Sequence, residues 1–120
     1  MVGFVRCAAV LAVAAAVSGC GVVYKPQVII SGCISSSRAL GGAVHDATVD
    51  GHSWGPGSAQ IRFIDESVDP PKTMMAECRV ANDGELASIK VDGKKPDEEQ
   101  MALARKAFRD IAQSPAWANQ

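Results

Sequence analysis

The stretch 73-TMMAECRVANDGELASIKV-91 decides the expected fold. In its first half polar and apolar side chains alternate, and the apolar set is Met74, Ala76, Cys78 and Val80. A period of two predicts a strand with one buried face and one solvated face. Asn82-Asp83-Gly84 then forms a turn signal, and the alternation resumes at Ala87, Ile89 and Val91. We therefore expect an antiparallel hairpin.

After this hairpin the chain changes to a helical period. Apolar residues recur at three- and four-residue spacing, and they are Met101, Leu103, Ala104, Ala107, Phe108 and Ile111. The residues Pro96, Asp97, Glu98 and Glu99 precede this stripe, and basic residues lie towards its end, as the helix dipole favours. The pattern predicts one amphipathic helix that ends at Pro115.

Three more strands are expected before the hairpin, at residues 28–34, 43–49 and 59–64, where β-branched and other apolar residues concentrate. The segments between them, 35–42 and 52–58, are rich in serine, glycine and proline and are expected to be loops. The predicted fold class is α+β. A small antiparallel sheet of about five strands would carry one C-terminal amphipathic helix on one face.

The first twenty residues, MVGFVRCAAVLAVAAAVSGC, are typical of an export signal. Arg6 precedes an apolar run from Cys7 to Val17 that is too short to span a bilayer. The run leads into Val17-Ser18-Gly19-Cys20, which resembles the lipobox of bacterial lipoproteins. The alternative is ordinary secretion, with cleavage after 14-AAA-16 and a free thiol at Cys20.

The resemblance to lipoproteins covers the leader only, and it implies where in the cell the protein is located. Residues 1–19 would be removed, and the thiol of Cys20 would carry a diacylglyceryl group, often with a further acyl chain such as palmitate on the new amino terminus. The protein would then be anchored by lipid to a bacterial membrane of the cell envelope, facing the periplasm from the outer membrane in a Gram-negative host. The expected organisation is a lipidated cysteine and tether at 20–27, followed by a single small domain at 28–120.

Charge and cysteine content narrow the function classes. Removal of Arg6 with the leader leaves eleven basic and thirteen acidic side chains, a formal charge of −2, which does not favour nucleic-acid binding. With Cys7 removed and Cys20 modified, Cys33 and Cys78 remain as a pair, and in an exported chain such a pair is expected to form a disulfide. A metal site built on these two thiols would need histidine or carboxylate partners that no nearby spacing supplies. No cofactor is expected.

The pentapeptide Gly51-His52-Ser53-Trp54-Gly55 resembles the nucleophile elbow of the α/β-hydrolase family, in which Ser53 would be the nucleophile. The elbow needs a strand, a strained turn and then a helix, yet the following residues GPGSAQ cannot begin a long helix. The catalytic histidine of that family also follows the serine in the chain, whereas both histidines here precede it. A turn is therefore the expected role, and no enzymatic activity is predicted.

The segment 45-HDATVDGH-52 is a candidate metal site. If it is extended, Asp46, Asp50 and His52 share one face. Neighbours two residues apart on a strand close poorly around an ion without further ligands. The competing interpretation is the solvated face of an edge strand.

Trp54 is the candidate partner-binding residue. A large aromatic in a segment rich in glycine and proline either covers the edge of the core or remains exposed as an anchor for a partner. The favoured hypothesis is a non-enzymatic envelope lipoprotein whose domain binds a protein or a cell-wall partner, as an assembly accessory, an inhibitor or immunity protein, or a surface-exclusion factor. A metal-binding or sensing lipoprotein using residues 45–52 is the alternative, and a small serine hydrolase is a third hypothesis.

Overall fold

A four-stranded antiparallel sheet forms one layer of the fold, and two helices pack on one of its faces. The computed structural model describes residues 4–5 and 22–114. The elements, in chain order, are β1 (Phe4–Val5), β2 (Val22–Val23), α1 (Pro26–Ala39), α2 (Ala43–Asp46), β3 (Thr48–Gly55), β4 (Ser58–Asp65), β5 (Lys72–Val80), β6 (Leu86–Val91) and α3 (Glu98–Ala112). Strands β3 to β6 pair in sequence order, and β1 pairs with β2 separately.

The hairpin expected from residues 73–91 is confirmed as β5 and β6, which pair antiparallel with Cys78 opposite Ile89. In the first strand the alternation also holds, since Met74, Ala76 and Cys78 are buried whereas Met75 and Glu77 are exposed. In the second strand Ile89 is buried as predicted, but the prediction is wrong at Ala87, which is exposed next to the buried Leu86. The mixed α and β composition and the C-terminal helix are confirmed as well. The number of strands in the main sheet is four rather than about five.

The difference arises at residues 28–34, which lie in helix α1 and not in a strand. Pro26 occupies the first turn of this helix, where its missing N–H costs nothing. The buried residues follow a helical spacing: Val28, Ile29, Gly32, Cys33, Ser36 and Ser37. The expected loop at 35–42 is also wrong over residues 35–39, because the helix continues to Ala39.

Two further boundaries differ from the expectation. Residues 43–46 form the short helix α2, so the second predicted strand begins only at Thr48. The predicted loop at 52–58 is largely strand, because β3 continues to Gly55 and β4 starts at Ser58. Only Pro56 and Gly57 form the turn, and Gly57 has a φ of 66°, a value that glycine adopts without strain.

Helix α3 is confirmed, and its start is capped by side chains. The Asp97 carboxylate accepts a hydrogen bond from the N–H of Gln100 at 2.8 Å, and the Gln100 side chain accepts one from the N–H of Asp97 at 3.3 Å. This reciprocal capping box satisfies two N–H groups that the helix cannot pair internally. Ala104, Phe108 and Ala112 face the core, whereas Leu103 is 51% exposed, so its expected place in the apolar stripe is wrong. Pro115 lies outside the described residues.

The disulfide between Cys33 and Cys78 is confirmed. It joins the middle of α1 to β5, one of the two central strands of the sheet, with the two Cα atoms 5.8 Å apart. Both sulfur-bearing side chains are buried in the core cluster together with Ile61 and Phe63. The bond therefore fixes α1 against the covered face of the sheet.

Helices α1 and α3 pack closely because small residues lie on the buried side of α1. Gly32 faces the ring of Phe108. The hydroxyls of Ser36 and Ser37 are fully buried and donate to the carbonyl oxygens of Gly32 and Cys33, each at 2.7 Å. Because these hydroxyls are satisfied within their own helix, the two serines behave as small core residues.

Strand β3 is an edge of the sheet and carries a bulge between Val49 and Gly51. At the bulge the guanidinium of Arg62 contacts the Asp50 carboxylate at 3.1 Å and donates to the Asp50 carbonyl oxygen at 3.2 Å. Among residues 4–5 and 22–114, no helix combines the length and the apolar character needed to cross a membrane.

Candidate partner-binding groove

An apolar groove of about 480 Å³ lies at one end of the sheet. Three segments line it: the entry into α1, the end of β3 with the turn into β4, and the end of β5 with the two residues that follow it. The lining residues are Tyr24, Pro26, Ile29, Trp54, Pro56, Gly57, Val80, Ala81 and Asn82. No side chain of this lining carries a formal charge, so the groove suits an apolar ligand group.

Trp54 is the most exposed large apolar residue of the described chain, with 53% of its surface accessible. It lies in β3 opposite Ala59, which is buried, so its backbone is fixed by the sheet ladder. The position of Trp54 thus combines a rigid backbone with an accessible indole. A residue that covered the edge of the core would be buried, so the structure does not support that role for Trp54, and the role of an anchor stays a prediction.

Tyr24 closes the groove on the side of α1 and is held from two directions. Its hydroxyl donates a hydrogen bond to the carbonyl oxygen of Gly84 at 3.0 Å, and its ring meets Phe108 edge to face with centroids 6.0 Å apart. Partial burial, followed by the nearby carboxylates of Glu85 and Asp83, raises the pKa of Tyr24 above its usual 10.0. The hydroxyl therefore remains a hydrogen-bond donor over the whole neutral range.

The turn that forms the opposite wall is tied to the neighbouring hairpin. The N–H of Val80 donates to the carbonyl oxygen of Gly57 at 2.8 Å. A Cβ atom at Gly57 would lie 3.4 Å from the carbonyl oxygen of Val80, so the two hairpins approach closely at this point. Pro56 adds a fixed φ beside it. The walls of the groove are consequently preformed.

The residues of the serine-nucleophile motif, which was considered and not favoured, are not brought together. Ser53 pairs with Gln60 across the strand while His52 pairs with Ile61, so the two side chains project from opposite faces of the sheet. The segment after Ser53 is a turn leading into strand β4, whereas a nucleophile elbow leads into a helix. The second histidine, His45, lies in α2 and contacts the Asp46 carboxylate at 3.0 Å.

The candidate metal ligands are also separated. Asp46 lies in α2 beside His45, Asp50 is paired with Arg62 at the bulge of β3, and His52 is two residues further along the strand. Across residues 4–5 and 22–114 there is no cluster of three or more histidine, cysteine, aspartate or glutamate side chains that could hold a metal ion. The structure thus gives no support to the alternative of a metal site in residues 45–52.

The residues of the groove that sequence reasoning missed lie in two segments, 24–29 and 80–82. The sequence assigns residues 20–27 to a tether, but Tyr24 already packs against the domain and α1 begins at Pro26. The signal in the sequence was Pro26, because proline is common in the first turn of a helix. The lipidation candidate Cys20 lies outside the described residues.

Comparison with known proteins adds no relative to this description. No family model, no curated protein and no solved structure matches the chain. The groove must therefore be interpreted from its own residues.

Proposed function

We propose that this chain is a non-enzymatic, lipid-anchored protein of the bacterial cell envelope, and that its domain binds an envelope partner through the groove beside Trp54. The anchor is Cys20, and the partner is a protein or a component of the cell wall. The observation that carries the proposal is the exposed indole of Trp54 on a rigid strand beside an uncharged, preformed groove.

Two features support the cellular part of this proposal. The leader has the charge, the apolar run and the lipobox pattern of an exported lipoprotein. The buried disulfide between Cys33 and Cys78 belongs to oxidising compartments such as the bacterial periplasm, since cytosolic thiols are kept reduced.

Two features support binding by the groove. Tryptophan is enriched among the few residues that dominate the free energy of a protein interface. Such an anchor binds best when its backbone does not have to be ordered on association, because ordering side chains and loops reduces affinity. The sheet ladder at Trp54 and the tied turn at Pro56 and Gly57 meet this requirement.

The anchor is tested by acyl labelling and detergent partitioning of the full-length protein and of Cys20→Ser. We expect the parent to carry acyl chains and to enter the detergent phase, and the variant to do neither. A Cys20→Ser protein that still partitions with membranes at the mature mass would contradict the anchor.

The groove is tested by affinity capture from intact envelopes with Trp54→Ala. Loss of the indole should weaken the complex by about 2 kcal/mol or more, as for other central aromatic anchors. The matched control is Leu103→Ala, which removes another half-exposed apolar side chain from helix α3. Unchanged recovery of the partners by Trp54→Ala would refute binding at this site.

A further inference from the structure

We infer that the partner of the groove is an integral membrane protein in the same bilayer as the lipid anchor, which inserts an apolar side chain at the level of the lipid headgroups. This inference rests on the lipidation of Cys20 proposed above, and it selects one partner class among those that the proposed function leaves open. It follows from the length of chain between Cys20 and the groove.

The connection between the anchor and the packed domain is very short. Only Gly21, Val22 and Val23 separate Cys20 from Tyr24. Four Cα-to-Cα steps span at most about 14 Å when fully extended. Tyr24 itself cannot extend the tether, because the hydrogen bond to Gly84 and the ring contact with Phe108 hold it against the domain.

Tyr24 is also a wall of the groove, so the groove lies close to the anchor. The lipidated cysteine sits at the boundary of the hydrocarbon core, and the headgroup region of each leaflet is roughly 5–8 Å thick. A reach of at most about 14 Å from that boundary places the Tyr24 side of the groove in or just above the headgroups. Strand β1, which pairs with Val22 and Val23, belongs to the segment that is removed with the leader.

Two of the partner classes fit this position less well. A folded soluble domain of 100 residues has a radius of gyration of about 13 Å, so it cannot enter the space between the groove and the bilayer and would have to approach the groove from another side. A cell-wall polymer is rich in hydroxyl and amide groups, for which the lining offers few polar partners, chiefly the amide of Asn82. A membrane protein, by contrast, presents apolar and aromatic side chains at this depth.

The shape and charge of the groove argue against lipid as its occupant. The lining is concave and is walled by Pro26 and Pro56, so a protruding side chain fills it better than a flat bilayer surface. Anionic lipid is recognised by clusters of basic residues. Here Lys25 and Asp83, which flank the lining residues Tyr24 and Asn82, carry opposite charges.

The test is photo-crosslinking of the full-length lipidated protein in native membranes. p-Benzoylphenylalanine is placed at Pro56 or, in a second variant, at Asn82, both of which line the groove. The control position is Val68, which is 44% exposed and lies between β4 and β5, at the other end of these strands. We expect both groove positions, and not Val68, to form a product with one protein that resists alkaline carbonate extraction. An adduct with lipid alone, with a soluble protein or with the cell wall, or no adduct at either position, would overturn the inference.

The dependence on tether length gives a second readout. Insertion of twelve Gly/Ser residues after Gly21 lengthens the connection from four to sixteen steps. The effective concentration of a tethered site falls roughly as the −3/2 power of linker length, so the crosslinking yield below saturation should drop about eightfold. An unchanged yield would contradict placement by the tether. The acyl content of Cys20, measured in the same samples, separates the two proposals: an unmodified Cys20 refutes the anchor, whereas a lipidated protein that crosslinks to a soluble partner refutes only this inference.

Discussion

Gly32 of α1 lies directly against the ring of Phe108 of α3, so that a Cβ atom at position 32 would come within 2.5 Å of Cε2 of that ring. Two non-bonded carbon atoms cannot approach so closely. The close packing of α1 against α3 therefore requires glycine at position 32. The same ring contacts Tyr24, which connects the helix interface to the wall of the groove.

Gly32→Ala should therefore destabilise the fold. Alanine favours a helix over glycine by about 1 kcal/mol, but overpacking a core costs about 1–3 kcal/mol, and a rigid ring in a buried interface cannot move aside freely. We expect a net loss of about 1–2 kcal/mol in the free energy of unfolding, measured by denaturant titration. In a Phe108→Leu background the clash is removed, so Gly32→Ala should become neutral or stabilising there. Equal losses in both backgrounds would show that the ring is not the cause.

Loss of the disulfide should destabilise the domain strongly. Cys33 and Cys78 are 45 residues apart, and the chain-entropy model gives about 4 kcal/mol for a loop of this size. The denaturation midpoint should fall on addition of a reductant. The Cys33→Ala/Cys78→Ala variant is the control, because its midpoint should be low from the start and should not respond to the reductant. Thiols that react in the native, unreduced protein would contradict the pairing.

Tyr24 should make stability fall at alkaline pH. Its pKa is raised in the folded state, so between the unfolded pKa of 10.0 and the folded pKa the unfolded chain has lost the proton that the folded chain retains. The contribution is fully present below pH 10 and is lost as the pH rises through the folded pKa. The chain contains one tyrosine, so absorbance near 295 nm follows this group alone.

The control for the alkaline prediction is Tyr24→Phe. It should cost about 0.5–1.5 kcal/mol at neutral pH, because the hydrogen bond to the Gly84 carbonyl is lost. Its stability should then decline less steeply than that of the parent above pH 10. Identical slopes for the two proteins would show that the hydroxyl is already free in the folded state.

Trp54→Ala should have little effect on folding, in contrast to its effect on binding. Since about half of the side chain is exposed, we expect a loss of less than about 1 kcal/mol in the free energy of unfolding. Ile61→Ala on the adjacent strand provides the contrast, because Ile61 is fully buried and such truncations cost about 2–5 kcal/mol. Ser53→Ala should leave both stability and binding unchanged. A loss at Trp54 as large as that at Ile61 would assign Trp54 to the core.

The sequence predicts this fold where the periodicity of apolar residues is unambiguous. The alternation around Met74 and Cys78 and the helical stripe through Ala104 and Phe108 both appear as expected. Helix α1 was missed because its core face is built from Gly32, Ser36 and Ser37, whose small or polar side chains carry no hydrophobic signal. The only hydrophobic signal at the start of this helix is Val28-Ile29-Ile30, and the β-propensity of these residues alone predicts a strand.

The site was predicted only in part, because small residues again concealed the regular structure around it. Trp54 was identified as a candidate from its type and its setting, but the segment around it was expected to be a loop. Glycines at 51 and 55 suggested irregular structure, yet both positions lie within β3, and the side chain of Arg62 covers Gly51. The position of Tyr24 in the other wall was not foreseeable, because its contacts with Gly84 and Phe108 join residues 60 and 84 positions apart.

The bulge at Asp50 has a consequence for how copies of this protein behave beside one another. A regular, uncharged edge strand is a template on which a second chain can add its own strand, and repeated addition leads to fibrous aggregates. In β3 the bulge interrupts the regular spacing of backbone groups, and Asp50 and Arg62 place opposite charges at the interruption. The exposed edge that carries Trp54 is thereby protected against polymerisation, even where many copies are crowded together. Replacement of this irregular segment by a straight run of valines would retain the sheet but remove that protection.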